Sequence, residues 1–112
     1  MPQQSARLDL VFRALADPTR RAVLERLGKG PTPVSELALP FNMALPSFCQ
    51  HLDVLECCGL VKSRKDGRVR TYRLAPERLR MAEHWMVTQR TKWERRLDQL
   101  DVFLQTMKEQ KR

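Results

Sequence analysis

The sequence lacks an even set of well-spaced cysteines and lacks long apolar runs, and each absence excludes a class of protein. Its 112 residues include three cysteines, of which Cys57 and Cys58 are adjacent. An odd number with one strained neighbouring pair does not make a disulfide framework, so we expect a protein of a reducing compartment. No segment approaches the roughly 20 apolar residues that cross a bilayer. The first residues also lack a basic region followed by an apolar block, so neither a membrane protein nor a secreted one is predicted.

Patterns typical of catalysis are missing as well. The sequence has only four glycines and no glycine-rich phosphate loop. It also has no Ser/His/Asp set and no pair of buried carboxylates at helical spacing. Two tryptophans, one tyrosine and four phenylalanines are too few to line a cofactor pocket. We predict a single domain over residues 1–112, because this length cannot hold two domains with a cleft between them. Because the patterns above are missing, we predict no enzymatic activity and no cofactor.

Positive charge is in excess and is concentrated in one segment. The chain has 21 Lys and Arg against 13 Asp and Glu, which gives a net charge of +8. Six basic residues fall between Lys62 and Arg73, where Asp66 is the one acidic residue. A basic surplus of this kind fits a polyanionic partner, most often nucleic acid, although a solvated charged turn has the same composition.

Apolar residues at helical spacing predict four helices before this basic segment. They are expected at residues 5–16, 18–27, 34–39 and 45–58. Asp17-Pro18 supplies an N-cap and a proline at the first position of the second helix, and Gly28 supplies its stop.

The fourth helix is amphipathic. Its buried stripe is expected to comprise Leu45, Phe48, Leu52 and Leu55. At 100° per residue, the opposite face presents Pro46, Ser47, Gln50, Asp53, Val54 and Cys57.

The periodicity then changes to that of β-strands. Two β-type runs, 60–65 and 68–74, are linked by Asp66-Gly67, which is a strong signal for a hairpin. In the second run Val69 and Thr71 alternate with a face that we expect to be charged. That face is formed by Arg68, Arg70 and Tyr72.

Pro76 opens a long final helix, predicted over residues 76–107. Its apolar positions are spaced by threes and fours: Leu79, Ala82, Met86, Trp93, Leu97, Leu100, Leu104 and Met107. Thirty helical residues would span about 45 Å, more than a domain of this size can cover alone. The stripe could pack only against the first helix of its own chain, but Trp85 and Trp93 favour a second copy as its partner.

This order of elements predicts a mostly α fold with a β-hairpin, namely a winged helix-turn-helix with five helices and a two-stranded wing. The fourth helix would fit the major groove of B-DNA. There Gln50 can hydrogen-bond adenine, and Ser47 can bind several bases or a phosphate, although both could be ordinary exposed polar residues. Salt-dependent contacts to phosphate are expected from Arg64, Lys65, Arg68 and Arg70.

Four segments resemble the ArsR family of bacterial winged-helix repressors. They are FRALADPTRRAVLERL at 12–27, VSELA at 34–38, QHLDVLECCGLV at 50–61 and KDGRVRTYRL at 65–74. The likeness extends over about residues 6–105, in the right order and spacing. It implies a homodimeric repressor that binds an imperfect palindrome, with half-sites about 34 Å apart.

The resemblance also implies which residues act. The fourth helix, as recognition helix, would contact DNA through Leu45, Pro46, Ser47, Gln50 and His51. Helices 5–16 and 76–107 would form the dimer interface, with Leu8, Phe12, Trp85, Met86, Trp93, Leu97, Leu100 and Leu104. The expected partners are double-stranded DNA and a second copy, in the bacterial cytoplasm at the nucleoid, and the sequence identifies no inducer.

Three residues depart from the family pattern. Ala44 and Cys49 stand where serine is common, so two hydroxyls for capping or phosphate contact are missing. Asp53 stands where arginine or lysine is usual, and its carboxylate would repel phosphates or accept from cytosine N4. These departures concern the preferred DNA sequence rather than the fold. They also leave open a dimeric protein-interaction module without specific DNA binding.

The metal-ligand patterns of the family are missing, and we predict no metal site. His84 has no second histidine on the last helix, because His51 lies in the recognition helix. Cys49 and Cys57 would lie about 12 Å apart along one helix, too far to share an ion. A further alternative is a thiol-based metalloid or redox sensor that uses Cys57 and Cys58.

Overall fold

The computed structural model describes the backbone of residues 2–110 and the side chains of residues 6–110. The elements in chain order are α1 (Pro2–Leu15), α2 (Pro18–Leu27), β1 (Thr32–Pro33), α3 (Val34–Ala38), α4 (Leu45–Cys57), β2 (Val61–Asp66), β3 (Val69–Leu74) and α5 (Pro76–Gln110). They belong to two compact units, of which the first ends at Ala82 and the second begins at Glu83, within α5. Five helices therefore follow one another in the expected order, together with one strand that the sequence did not reveal.

The side chains of Asp17 and Arg20 hydrogen-bond the backbone where α1 ends and α2 begins. Asp17 caps α2 as expected, because its carboxylate accepts from the backbone N–H of Arg20 at 3.0 Å. That hydrogen bond lowers the pKa of Asp17. The Arg20 side chain in turn donates to the carbonyl oxygens of Ala14 at 2.8 Å and Arg13 at 2.9 Å. These are carbonyls of the last turn of α1, which have no partner within the helix.

The core of the first unit lies between the helices and the base of the sheet. Phe48, Leu52 and Leu55 of α4 are fully buried, as three of the four residues of the expected stripe. They pack with Val11, Val23, Leu37, Leu60 and Val61. The ring of Phe41, in the connection between α3 and α4, lies 5.0 Å from that of Phe48. Each such buried side chain contributes about 1.5–3 kcal/mol, so α4 is anchored to the core from Phe48 to Leu55.

The sheet has three antiparallel strands in the order β1-β3-β2, not two. Strand β1 was missed because it has only two residues, and it forms by pairing Thr32 with Tyr72. The hairpin was expected, but its turn lies one residue later than Asp66-Gly67. Asp66 pairs with Val69, so Gly67 and Arg68 form the turn. Gly67 has φ +65°, and a side chain at this position would meet open space.

Tyr72 is buried rather than part of a charged face. It is 4% exposed, while Arg70 two residues earlier on the same face is exposed. The predicted alternation of side chains along β3 was therefore right. The prediction that the face with Arg70 and Tyr72 is exposed was wrong at Tyr72. The base of the hairpin is covered by the core, whereas its distal half projects beyond the core. Burial also raises the pKa of the Tyr72 hydroxyl.

Helix α2 has the predicted bounds, and α3, α4 and α5 begin at the predicted residues, whereas the other helix ends differ by one to three residues. Helix α1 begins at Pro2 and ends at Leu15, while α3 and α4 end one residue early, at Ala38 and Cys57. Helix α5 continues to Gln110, three residues beyond the last apolar position at Met107. Lys, Glu and Gln are good helix formers, so a helix can outlast the apolar spacing that reveals it.

Helix α5 carries most of its apolar stripe exposed in the second unit. Trp93, Leu97 and Leu100 are 62%, 60% and 51% exposed. Within residues 2–110, the helices are too short or too polar for any of them to span a bilayer. A contiguous exposed apolar stripe of this kind is typical of an interaction surface.

Candidate nucleic-acid interface

Helix α4 presents a row of polar side chains to solvent. Ser47, Gln50 and Asp53 are exposed, together with Pro46. None of the three polar side chains has a hydrogen bond or an ion pair with another part of residues 6–110. Leu45 lies beside them, and its expected place in the buried stripe was wrong. It is 54% exposed, because the first turn of α4 begins outside the core that covers Phe48.

His51 lies on the flank of α4, where it contacts α2. Its Nδ1 is 3.2 Å from Nη1 of Arg20 and 3.7 Å from Oδ2 of Asp17. Arginine can only donate, so the shorter contact requires Nδ1 to accept. In that arrangement the ring proton is on Nε2. His51 thus links α4 to the N-terminus of α2, and a phosphate contact would use Nε2.

The wing is rich in positive charge, most of it without an ion pair within residues 6–110. Lys65 lies directly opposite Arg70, and Lys62 lies opposite Arg73. Like charges in directly opposed positions destabilise a sheet. The wing cations without a hydrogen bond or ion pair to residues 6–110 are Lys62, Arg64, Lys65, Arg68 and Arg73. Such a hairpin would be stabilised by a polyanion that lies across it.

The wing presents these cations on two faces, because side chains alternate along a strand. Lys65 and Arg70 share a face with Ser63, next to α4, and Arg68 lies at the turn. The remaining cations, Lys62, Arg64 and Arg73, are on the outer face. Sequence reasoning counted Lys62 and Arg73 among the basic residues of this segment but selected only Arg64 of this face as a site residue.

A chain of hydrogen bonds joins α4 to the wing. Oε2 of Glu56 accepts from the backbone N–H of Ser63 at 3.1 Å and from its hydroxyl at 2.7 Å. The same hydroxyl accepts from Nη1 of Arg70 at 2.8 Å. Sequence reasoning missed Glu56 and Ser63, and no local pattern marks them, because the contact depends on how the helix and the hairpin pack.

Comparison with known proteins agrees with this geometry. Residues 15–64 match a family model described as a helix-turn-helix domain. The transcriptional regulator Rv2034 of Mycobacterium tuberculosis is 47% identical over 68 residues, which are 61% of this chain and 64% of Rv2034. The chain thus spans less than two thirds of that relative. The transcriptional repressor SdpR of Bacillus subtilis is 32% identical over 77 residues, which are 69% of this chain and 86% of SdpR.

Solved structures give the family. A crystal structure of the ArsR family transcriptional regulator RHA00566 is 50% identical with a TM-score of 0.75, and the match covers 84% of this chain and 94% of that one. The chain belongs to the ArsR family. The expected family and the winged helix-turn-helix fold are confirmed.

A second structure bears on assembly. Mb0332 of Mycobacterium bovis, a possible ArsR-family regulator, has a winged helix-turn-helix DNA-binding domain described as homodimeric. It is 30% identical to this ArsR-family chain with a TM-score of 0.58, and the match covers 83% of this chain and 82% of that one.

The residues expected at a dimer interface of this ArsR-family chain fall into two groups. Leu8 and Phe12 of α1 are half-buried and pack against the core of the first unit. The others are exposed on α5: Trp85, Met86, Trp93, Leu97, Leu100 and Leu104. The second group therefore offers the larger apolar surface to a partner.

The three cysteines lie in different environments. Cys57 is exposed, Cys49 is half-buried and Cys58 is buried. Burial raises the pKa of the Cys58 thiol, which keeps it protonated and poorly reactive. Within residues 2–110, His, Cys, Asp and Glu side chains nowhere form a group of three that could hold a metal ion. The thiol-sensor alternative stays a prediction, and the exposed thiol of Cys57 is its most reactive candidate.

The N-terminus of α4 lacks the side-chain cap that is common in the ArsR family. Ala44 has the extended backbone of an N-cap residue, with φ −64° and ψ 144°, but no side-chain cap. Its carbonyl already accepts from the N–H of Phe48 at 3.0 Å. A serine at position 44 would therefore have the backbone geometry that lets its hydroxyl cap the helix.

We expect Ala44→Ser to raise the free energy of unfolding by about 1 kcal/mol, because the hydroxyl would accept from a free N–H of the first turn. Urea denaturation measures the change. Met43→Ser is the matched control, since it adds a hydroxyl one residue before the cap and should change stability little. An unchanged or lower stability of Ala44→Ser would contradict the role of Ala44 as N-cap.

Proposed function

We propose that this protein is a sequence-specific DNA-binding repressor that acts as a homodimer on an imperfect palindrome. The proposal rests mainly on one juxtaposition. Helix α4 exposes polar side chains that have no hydrogen-bond partner among residues 6–110, and the hairpin that follows α4 carries cations that have no counterion among the same residues. A helix of this kind fits the major groove, and the cations fit the phosphates beside it.

Base recognition is assigned to the exposed row of α4. The amide of Gln50 can make paired hydrogen bonds to adenine, and Ser47 can bind a base or a phosphate. Leu45 and Pro46, both exposed, can contact a thymine methyl group. His51 can reach a phosphate through Nε2, since its Nδ1 is occupied by Arg20.

Affinity is assigned to the wing. Arg64, Lys65 and Arg68 are exposed and have no ion pair within the described residues 6–110, so they can each displace a counterion from the phosphate backbone. Arg70 has the same charge, but one of its nitrogens already donates to Ser63. Such contacts position the protein on the duplex and add little sequence preference.

Dimerisation is assigned to the apolar stripe of α5, with Leu8 and Phe12 of α1. The exposure of that stripe supports it, as does the homodimeric state of the similar Mb0332 domain. Two copies of α4 would then enter successive turns of one duplex face, about 34 Å apart. The role as repressor is supported by the similarity to SdpR. A regulator of this kind acts in the cytoplasm at the chromosome and is not an enzyme.

Selection of bound genomic fragments by the purified protein would identify the operator. On that operator we expect Gln50→Ala to reduce discrimination against a single wrong base by about 1–3 kcal/mol. Arg68→Ala should instead weaken all duplexes alike and flatten the salt dependence of log K by about 0.9. Gln99→Ala, an exposed glutamine of α5, is the control for both.

Two results would contradict the proposal. If Gln50→Ala and Arg68→Ala lost discrimination and salt dependence equally, base recognition by α4 and phosphate binding by the wing would not be separate roles. No preference for any genomic fragment over random DNA at about 0.15 M salt, where non-specific contacts are weak, would favour the protein-interaction module.

A further inference from the structure

The contact between α4 and the wing is made at one point by a carboxylate. Glu56 lies in the last turn of α4, and its Oε2 binds both the N–H and the hydroxyl of Ser63 in β2. The hydroxyl donates to Glu56 and accepts from Arg70, so one serine joins an anion of the helix to a cation of β3. All three groups belong to the first unit.

The position of Ser63 in the sheet gives this contact its importance. Strand β2 is an edge strand, so the N–H groups on its outer side have no strand to pair with. The carboxylate of Glu56 accepts a hydrogen bond from one of these groups, the N–H of Ser63. Val61 and Tyr72 at the base of the hairpin are buried, whereas every residue from Arg64 to Arg70 is exposed. The Glu56–Ser63 contact attaches the β2 edge of the wing to α4, and on the opposite edge β1 pairs with β3 as far as Thr71.

A small change at this point becomes a large one at the tip. From Ser63 to Gly67 the strand rises about 13 Å, so a rotation of about 10° at Ser63 would move the tip by roughly 2 Å. A displacement of that size would take Arg68 out of hydrogen-bonding distance of a given phosphate.

We propose that Glu56 is a positioning residue for DNA recognition. Through Ser63 it fixes the angle between the recognition helix and the wing, and it holds Arg70 on the inner face instead of leaving it free to follow the phosphates. The inference rests on the proposed DNA-binding function. It assigns to an acidic residue a favourable role in binding a polyanion.

The sign of the effect separates this role from simple electrostatics. Removing a negative charge near DNA should strengthen binding to every duplex, because repulsion from phosphates is lost. A positioning role predicts weaker binding to the operator alone. There α4 is fixed against specific bases, so a displaced wing can no longer contact its phosphates. The ratio of operator affinity to random-duplex affinity is therefore the quantity to measure.

We expect Glu56→Ala to lower that ratio at least tenfold, using the selected operator and a random duplex of equal length at about 0.15 M salt. Ser63→Ala should lower it similarly without any change of net charge, and the double variant should lose no more than either single one. Ser63→Thr keeps the hydroxyl and suits a strand, so it should retain the ratio. Glu25→Ala, which removes an exposed carboxylate from α2, is the charge-matched control.

Amide hydrogen exchange supplies a readout that does not depend on DNA. The N–H of Ser63 should exchange faster in Glu56→Ala, while the buried amides of α4 keep their protection. If both Glu56→Ala and Ser63→Ala keep the ratio within twofold of the unsubstituted protein, the positioning role is wrong. If the unsubstituted protein itself shows no preference, the DNA-binding proposal fails instead, and the two failures are thereby distinguished.

Discussion

Replacing Leu97 and Leu100 by glutamate is expected to leave the protein monomeric at micromolar concentration and to weaken operator binding more than 100-fold. Both side chains are more than half exposed in the single chain and lie on the stripe that the proposed dimer would cover. An unpaired carboxylate in such an interface costs several kcal/mol, and the twofold symmetry doubles the number of carboxylates. Loss of the dimer would separate the two recognition helices, so each half-site would be bound alone.

Val102→Glu is the matched control for this double variant. Val102 is 63% exposed on the same helix, but at 100° per residue it lies about 170° away from the midpoint of Leu97 and Leu100. It should therefore leave both the oligomeric state and operator binding unchanged. Light scattering after size exclusion measures the mass of each variant. A dimeric Leu97→Glu/Leu100→Glu protein would show that α5 is not the interface.

Arg20→Ala is expected to lower the free energy of unfolding by about 2–3 kcal/mol. Its guanidinium donates to the carbonyl oxygens of Arg13 and Ala14 and contacts His51 of α4. Hydrogen bonds from a charged donor are worth about 1.5–3 kcal/mol each when buried, and the partial exposure of Arg20 reduces that value. Truncation would remove the side-chain donor to the carbonyl oxygen of Ala14, would leave that of Arg13 with only the N–H of Ala16, and would remove the contact with His51 of α4.

Arg21→Ala is the comparison for Arg20→Ala, because Arg21 is the next residue of α2. Its exposed guanidinium makes a single hydrogen bond, to the carbonyl oxygen of Leu15 at 2.8 Å. We expect a loss of at most about 1 kcal/mol for this variant. Denaturation in urea at neutral pH would rank the two. Equal stabilities of both variants would contradict the role of Arg20 as the bridge between α1 and α4.

The elements that could be predicted from sequence are those with local causes. Pro18 and Asp17 mark the start of α2 wherever the rest of the chain lies, and an Asp-Gly pair between two β-type runs marks a hairpin. The exposed face of α4 follows from its periodicity alone. Strand β1 could not be predicted in this way, because Thr32 becomes a strand residue only by pairing with Tyr72, forty positions later.

The errors and omissions in the site arise from tertiary packing. Periodicity places Leu45 in line with Phe48, but only the fold shows that the core ends between them. Alternation places Tyr72 in line with Arg70, but only the fold shows that the core covers one and not the other. The Glu56–Ser63 contact is set by the angle between a helix and a sheet, which no spacing along the chain encodes. Local patterns thus identified the surfaces, and packing determined how they are joined.

The open space around Gly67 allows variation among descendants of such a protein. A Cβ added at this position would meet no other atom within 4 Å, so the space around the turn is open, although the φ of +65° favours glycine at the position itself. Insertions at this tip would lengthen the hairpin without disturbing Phe48 or the other core residues. Evolution could therefore change how far the hairpin reaches, and hence the length of the DNA site, while leaving folding untouched.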